Sequence, residues 1–459
     1  MSREQDELLV VLSQLLDDTV LLRGDGIPEK ARSDASLSGR SLPWLYVRPT
    51  TVEQVHITLR ACNVYRWPVT VQGGMTGLAG GANPERSDVV IALDRLSGIE
   101  EIDAVAGTMT VLAGTPLETA QKAAEEAGFL LPIDLGSRGS CQIGGNIATN
   151  AGGIRVIRHG VTRDNILGLE AVLANGTVIS SMNRLRKNNT GYDLKQLFIG
   201  SEGTLGIITR AVIRLQPLPS GKATALVALS NYDHAVTLLK RAQAGLVGLS
   251  AFEIMWDSYF SFSSKGEGLL LFDRSHPFVA IVEQSGAPGN EDLETFLGAM
   301  FEEGLIADAL IAQSEKESRQ FWAIREGATY DRLPGLINFD VAIAVGRLGA
   351  FAEACEAALR ERYPDAHIAF FGHMGDSNLH IAVSVDPADD ATRHAIDATT
   401  YGVVKRFEGS ISAEHGIGLL KRDFLGHSRS PEELALMWSI KKALDPHGIL
   451  NPGKVLPPA

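Results

Sequence analysis

The segment Val71-Gln72-Gly73-Gly74-Met75-Thr76-Gly77-Leu78-Ala79-Gly80-Gly81 constrains this chain more than any other. It follows the apolar run 67–71, which reads as a strand, so a strand opens into a loop with few β-carbons. Such a loop lets backbone N–H groups approach a ligand closely and converge on an anion, typically a diphosphate. No Gly-Lys-Ser/Thr closes it, which excludes a P-loop. It lacks Gly-x-Gly-x-x-Gly, and Pro84 stands where a Rossmann helix would begin. Most glycine clusters are tight turns and nothing more, but this one has two companions. The first is Leu135-Gly136-Ser137-Arg138-Gly139-Ser140-Cys141-Gln142-Ile143-Gly144-Gly145-Asn146-Ile147-Ala148-Thr149-Asn150-Ala151-Gly152-Gly153. The second is Phe198-Ile199-Gly200-Ser201-Glu202-Gly203-Thr204-Leu205-Gly206-Ile207-Ile208-Thr209. Three segments of small and hydroxyl- or amide-bearing residues can line one long polar ligand.

With these three segments the chain resembles the flavoprotein family of vanillyl-alcohol oxidase and p-cresol methylhydroxylase, in its branch of FAD-dependent D-2-hydroxy-acid dehydrogenases. The likeness runs from about Leu42 to Lys454. It includes Val47-Arg48-Pro49, Lys187-Asn188-Asn189-Thr190-Gly191-Tyr192-Asp193-Leu194 and Asp445-Pro446-His447-Gly448-Ile449-Leu450-Asn451-Pro452-Gly453-Lys454. It implies an α+β fold with a two-subdomain PCMH-type FAD-binding domain, an antiparallel-sheet cap domain over the flavin ring, and a helical C-terminal segment. The expected FAD contacts in the first loop are Gly73, Gly74, Met75, Thr76, Gly77 and Leu78. In the second segment they are Leu135, Gly139, Ser140, Ile143, Gly144, Thr149, Asn150, Gly152 and Gly153, with Gly160 just beyond. Glu202, Gly203, Ile207 and Asn451 complete the set. Several relatives attach FAD through a histidine in this region. No histidine lies between Ile57 and Gly145, so FAD is expected to bind noncovalently.

At 459 residues two domains are the expectation. Apolar content of 45% and charged content of 21% suit a globular protein, and a net charge of −13 argues against nucleic acid and anionic membrane. No apolar run reaches the roughly 20 residues that cross a bilayer. The start Met1-Ser2-Arg3-Glu4-Gln5-Asp6-Glu7 lacks the basic region and apolar core of a signal peptide, which points to a cytoplasmic protein. Cys62, Cys141 and Cys355 are too dispersed for a disulfide framework, a thiolate cage or an iron–sulfur cluster. Electrons must therefore leave to an external acceptor such as electron-transfer flavoprotein or a quinone. A homodimer is the base-rate expectation.

Along the chain, residues 1–41 read as an N-terminal helical segment with a helix over about 6–22, 42–218 as the FAD domain, 219–390 as the cap domain, and 391–459 as a helical segment returning to the FAD domain. Within the FAD domain 89–93 and 107–112 read as strands, and 116–127 as a helix capped by Thr115 and ended by Gly128. Residues 169–179 read as a hairpin whose Asn175-Gly176 pair favours a type I′ turn. Beyond the prolines at 217 and 219 come a strand at 223–229 and a helix at 232–245.

The second half carries ligand chemistry. Ile368-Ala369-Phe370-Phe371-Gly372-His373-Met374-Gly375-Asp376-Ser377-Asn378-Leu379-His380-Ile381-Ala382-Val383 reads as strand, turn, strand. A turn centred on Asp376 and Ser377 would place His373 and His380 opposite each other, about 4.5–5.5 Å apart at Cβ. Two such histidines can share one ion, with a carboxylate as third ligand, and Ser412-Ala413-Glu414-His415-Gly416 offers Glu414. The resemblance implies a divalent metal, zinc or manganese, at His373, His380 and Glu414, and general-base work for His415. It also implies carboxylate contacts from Arg325 and Thr329, taken as one helical turn apart, and a substrate contact from Asn378. The turn's third position is Ser377 rather than the family's glycine. Asn338 stands where D-2-hydroxyglutarate relatives carry lysine, which leaves D-lactate, another monocarboxylate or a dicarboxylate open as the small 2-hydroxy-acid substrate. The competing readings are a metal-free flavin oxidase of alcohols or lactones and a non-catalytic FAD-binding subunit. A zinc hydrolase leaves the glycine segments unexplained.

Overall fold

The computed structural model describes residues 3–286 and 289–458. The chain forms two compact units, one of residues 1–153, 160–218 and 414–459, the other of 154–159 and 219–413. Both mix helix and sheet, as the α+β expectation requires. Among the described residues no helix is long and apolar enough to cross a membrane.

The first unit holds a four-stranded and a five-stranded sheet. In the smaller one Val69–Gln72 pairs in parallel with Val89–Ala92, which pairs in parallel with Leu45–Val47. Parallel strands bury both faces, and Val89, Val90, Ile91 and Ala92 are all buried. The larger sheet is antiparallel, in the order Ile99–Asp103, Thr108–Leu112, Ile207–Arg214, Ile166–Val172, Val178–Ser181. One apolar core joins these strands to the helices Val52–Val64 and Leu117–Glu126 and to Ile449 and Leu450. The C-terminal residues are fastened by hydrogen bonds: Val71 N–H donates to Asn451 Oδ1 at 3.0 Å, and the buried Lys441 ammonium reaches Asp445 and two backbone carbonyls. The first glycine loop thus leaves a strand braced from both sides.

Three local readings differ from the sequence expectation. The first helix is Arg3–Leu15, and Leu21–Leu22 is instead a short strand paired with Tyr46 and Val47. Thr115 does not cap the next helix. Pro116 takes that position, while the Thr115 hydroxyl bonds Leu112 O at 2.8 Å and accepts from Gly98 N–H at 2.9 Å. Of the Asn175-Gly176 pair only Gly176 has positive φ (+87°), so the turn is not type I′, and Asn175 instead caps Thr177 N–H.

The second unit is built on a seven-stranded antiparallel sheet. Its order is Asp308–Ile311, Lys222–Leu229, Phe278–Ser285, Leu249–Trp256, His367–His373, Asn378–Ser384, Leu336–Ala342. The helix Tyr232–Gly245 begins at Asn231, whose side chain accepts from His234 N–H. The helix Asp390–Arg406, placed by sequence in the C-terminal segment, belongs to this unit. Its buried Ile396, Tyr401 and Val404 pack on the unit's core, with Tyr401 edge-on to Phe339 at 5.4 Å.

Candidate active site

In the first unit the three glycine segments line one cavity of about 400 Å³, within the range of small-molecule sites. All six expected residues of the first loop, Gly73 to Leu78, border it. So do Leu135, Gly144, Thr149 and Gly152 from the second segment, and Glu202, Gly203, Ile207 and Asn451. Glu414 and His415 reach the same cavity from the C-terminal part of the unit.

Six expected contacts do not line it: Gly139, Ser140, Ile143, Asn150, Gly153 and Gly160. Ile143 is fully buried in the apolar core. The Ser140 carbonyl oxygen occupies the space a methyl group on Gly74 would need, and the Asp134 carbonyl does the same at Gly153. Asn150 sits at φ +50° and accepts from Arg163 N–H, and Gly160 (φ +72°) lies against the Asp164 carboxylate. Gly139 lies outside the lining, nearest the Glu118 carboxylate. Asp34 and Gln142 line the cavity without having been expected. Gln142 was legible as a polar residue inside the second segment, whereas nothing in the sequence around Asp34 marks it.

The cavity suits a dinucleotide. Met75 adopts φ +59°, a left-handed conformation of the kind found in anion-binding backbone nests, and Gly74 is hemmed in by backbone. Gln142 borders the cavity, and its buried Oε1 has no hydrogen-bond partner in the protein. Gly74→Ala is expected to force Ser140 away from the loop. It should cost about 1–3 kcal/mol of stability in a urea titration and lower the FAD content of the purified protein.

In the second unit a buried polar cluster sits on one face of the sheet. Phe371 pairs directly with His380, so His373, two residues further along its strand, is a diagonal neighbour of His380 on the same face rather than its direct opposite. The turn is Met374–Asp376 with Ser377 at φ +73°, which puts its centre at Gly375 and Asp376. The two Nε2 atoms are nonetheless 3.4 Å apart, with the rings at 82°. Two metal–nitrogen bonds of about 2.0–2.1 Å at a tetrahedral angle span roughly that distance.

Glu253 organises this cluster. It lies opposite His373 on the next strand, fully buried, and its Oε1 accepts from His373 Nδ1–H at 2.7 Å. With Nδ1 engaged by Glu253, His373 turns its Nε2 toward His380. Glu253 Oε2 accepts from Arg325 Nε at 2.6 Å, and the guanidinium lies 4.7 Å over the Phe371 ring. Burial would raise the Glu253 carboxyl, but His373 and Arg325 outweigh it and hold its pKa below the ordinary value. Sequence reasoning missed Glu253. Its signal was a lone carboxylate in the otherwise apolar strand Leu249–Trp256, since such a group needs a charged partner.

Arg325 is buried and paired with Glu253. Thr329 does not share its helical face. The helix Glu315–Glu326 ends at Gly327 (φ +66°), and Thr329 instead packs on Gly266. Asn378 is buried, and neither atom of its side-chain amide has a hydrogen-bond partner in the protein. Asn338 is exposed and lies across from the buried Ala382, so neither of these positions supplies a charge.

Residues 218–455 match the family described as FAD linked oxidases, C-terminal domain, and residues 43–181 match FAD binding domain. The chain is 41% identical over 427 residues to D-2-hydroxyglutarate dehydrogenase of Xanthomonas citri pv. viticola, covering 90% of this chain and 89% of that one. It is 39% identical over 419 residues to the mitochondrial D-2-hydroxyglutarate dehydrogenase of Bos taurus, covering 90% and 76%. The structure superposes on p-cresol methylhydroxylase with substrate bound at a TM-score of 0.78 and 18% identity, covering 100% and 98% of the two chains. At that identity the likeness speaks for the fold.

Proposed function

The chain belongs to the FAD-linked oxidase family, and from that premise we propose that it is an FAD-dependent dehydrogenase that oxidises a D-2-hydroxy acid to the 2-keto acid. The observation that carries this reading is His415 on the wall of the cavity formed by the three glycine segments. A proton acceptor there borders the place where the flavin belongs. Bound FAD supplies the two-electron acceptor for the hydrogen leaving the substrate's Cα. His415 takes the hydroxyl proton, work suited to an imidazole near neutral pH. Arg325 binds the substrate carboxylate: Glu253 engages its Nε, and a guanidinium is the side chain suited to pairing with a carboxylate. Asn378 offers its unpartnered amide to the same substrate.

His373, His380 and Glu414 would hold a divalent cation, zinc or manganese, which would acidify the substrate hydroxyl. The 3.4 Å spacing of the histidine nitrogens and the Glu253 bond that orients the His373 ring support this assignment. Glu414 follows Ala413, whose N–H is tied to Asp340, the cross-strand partner of His380. All three cysteines are free and buried, so the electrons pass to an external acceptor such as electron-transfer flavoprotein or a quinone.

The lack of a charged side chain at Asn338 keeps both monocarboxylic and dicarboxylic D-acids in the test. The purified yellow protein, mixed anaerobically with D- and L-2-hydroxy acids, should lose its flavin colour with one D-acid, D-2-hydroxyglutarate or D-lactate, and with no L-acid. If every 2-hydroxy acid leaves the metal-replete flavin oxidised, the dehydrogenase assignment fails and an alcohol oxidase or inactive subunit takes its place.

A further inference from the structure

Glu202 was expected to touch FAD and does border the cavity, yet its carboxylate is engaged by the chain itself. Oε1 accepts from Ile417 N–H at 2.7 Å and Oε2 from Gly418 N–H at 2.9 Å. A carboxylate beside a diphosphate loop would repel the ligand's charge, whereas two backbone N–H groups are its natural partners. The residue is itself held in place. It sits at φ +50°, its N–H donates to Ala148 O at 2.8 Å, and its carbonyl accepts from Asn451 Nδ2 at 2.6 Å. A left-handed conformation at a non-glycine residue persists only where its surroundings enforce it. Burial pushes the carboxyl pKa up, while the two N–H groups and the charges of Lys421 and Lys454 pull against that shift.

The loop on the receiving side is shaped to this carboxylate. A methyl group on Gly416 (φ +76°) would stand 2.8 Å from Glu202 Cδ. One on Gly81 would stand 3.3 Å from Oε2. Beyond the contact, Leu419 N–H donates to Ala79 O at 2.9 Å and Val455 N–H to Gly418 O at 2.9 Å. The loop carrying Glu414 and His415 is therefore fastened two residues downstream of His415, between the first glycine loop and the third. We propose that Glu202 is a positioning residue that sets the place of Glu414 and His415 through Ile417 and Gly418, and not a cofactor ligand. This inference rests on the roles given above to Glu414 and His415.

Three variants and one control test it: E202A, E202Q, which keeps one acceptor oxygen, G416A, which displaces the loop while leaving Glu202 intact, and H415A. Each is assayed for FAD content, for kcat and KM of flavin reduction by the active D-acid, and for Mn²⁺ affinity by calorimetry on the FAD-loaded protein. A positioning residue behind a ligand or base typically changes affinity or rate by about 10–100-fold. E202A and G416A should therefore retain FAD, lose kcat and Mn²⁺ affinity by about that factor, and keep KM within roughly threefold, with E202Q in between. E202A that keeps both kcat and Mn²⁺ affinity overturns the proposal. So does loss of FAD that accounts for the whole loss of activity, because Glu202 would then hold the cofactor. H415A that turns over at the wild-type rate sinks the underlying mechanism instead, which separates the two failures.

Discussion

His380→Ala is expected to lower the rate of flavin reduction by the D-acid roughly 1,000-fold, with no recovery when Zn²⁺ or Mn²⁺ is added. A cation polarising the substrate oxygen is worth several kcal/mol, and each 1.4 kcal/mol is about tenfold in rate. His380 Nε2 lies 3.4 Å from His373 Nε2, and removing one imidazole leaves the other without its partner donor. The fold should tolerate the change. His380 packs beside Phe371 with a ring separation of 5.1 Å and is only partly buried, so thermal unfolding should move little. Chelation of the wild-type protein should reproduce the loss, and metal should reverse it there but not in the variant. A variant that reduces flavin at the wild-type rate before and after chelation would remove the ion from the reaction and favour the metal-free oxidase reading.

The histidine pair shows where sequence reasoning reaches and where it stops. The strand-turn-strand pattern around Gly375 was legible because apolar runs flank a cluster of turn formers, and the face shared by His373 and His380 followed from alternation. Their register was not legible, since a small shift of the turn centre changes a direct pair into a diagonal one. Glu253 lies 120 residues before His373 in sequence and becomes its neighbour only through the order of a seven-stranded sheet. Nothing local announces such a pairing. The glycine loops were readable for the opposite reason. Each is a continuous segment whose own backbone makes the cradle, so Gly73 to Leu78 line the cavity as a block. Local chemistry also misled at Thr329, where spacing from Arg325 suggested one helical face but Gly327 ends the helix between them.

Arg325→Met is expected to damage both substrate binding and the fold, in separable ways. The guanidinium is buried, bonded through Nε to the fully buried Glu253, and stacked over Phe371. Methionine fills much of the volume and preserves apolar contact, but it takes from Glu253 the guanidinium that balances its charge and leaves it the His373 hydrogen bond. Breaking a buried pair by deleting one member costs about 3–5 kcal/mol, so the urea midpoint should fall sharply. Arg325→Met combined with Glu253→Gln removes the uncompensated carboxylate and should recover most of that stability. It should not recover catalysis, because the carboxylate-binding cation is still missing and a neutral amide in place of the Glu253 carboxylate holds the His373 ring less firmly. The double variant is therefore the informative protein: folded, yellow, and with KM for the D-acid raised at least tenfold, about 1.4 kcal/mol of lost binding. If it binds and oxidises the acid like the wild type, Arg325 is a structural partner of Glu253 alone, and the substrate carboxylate is held by another group.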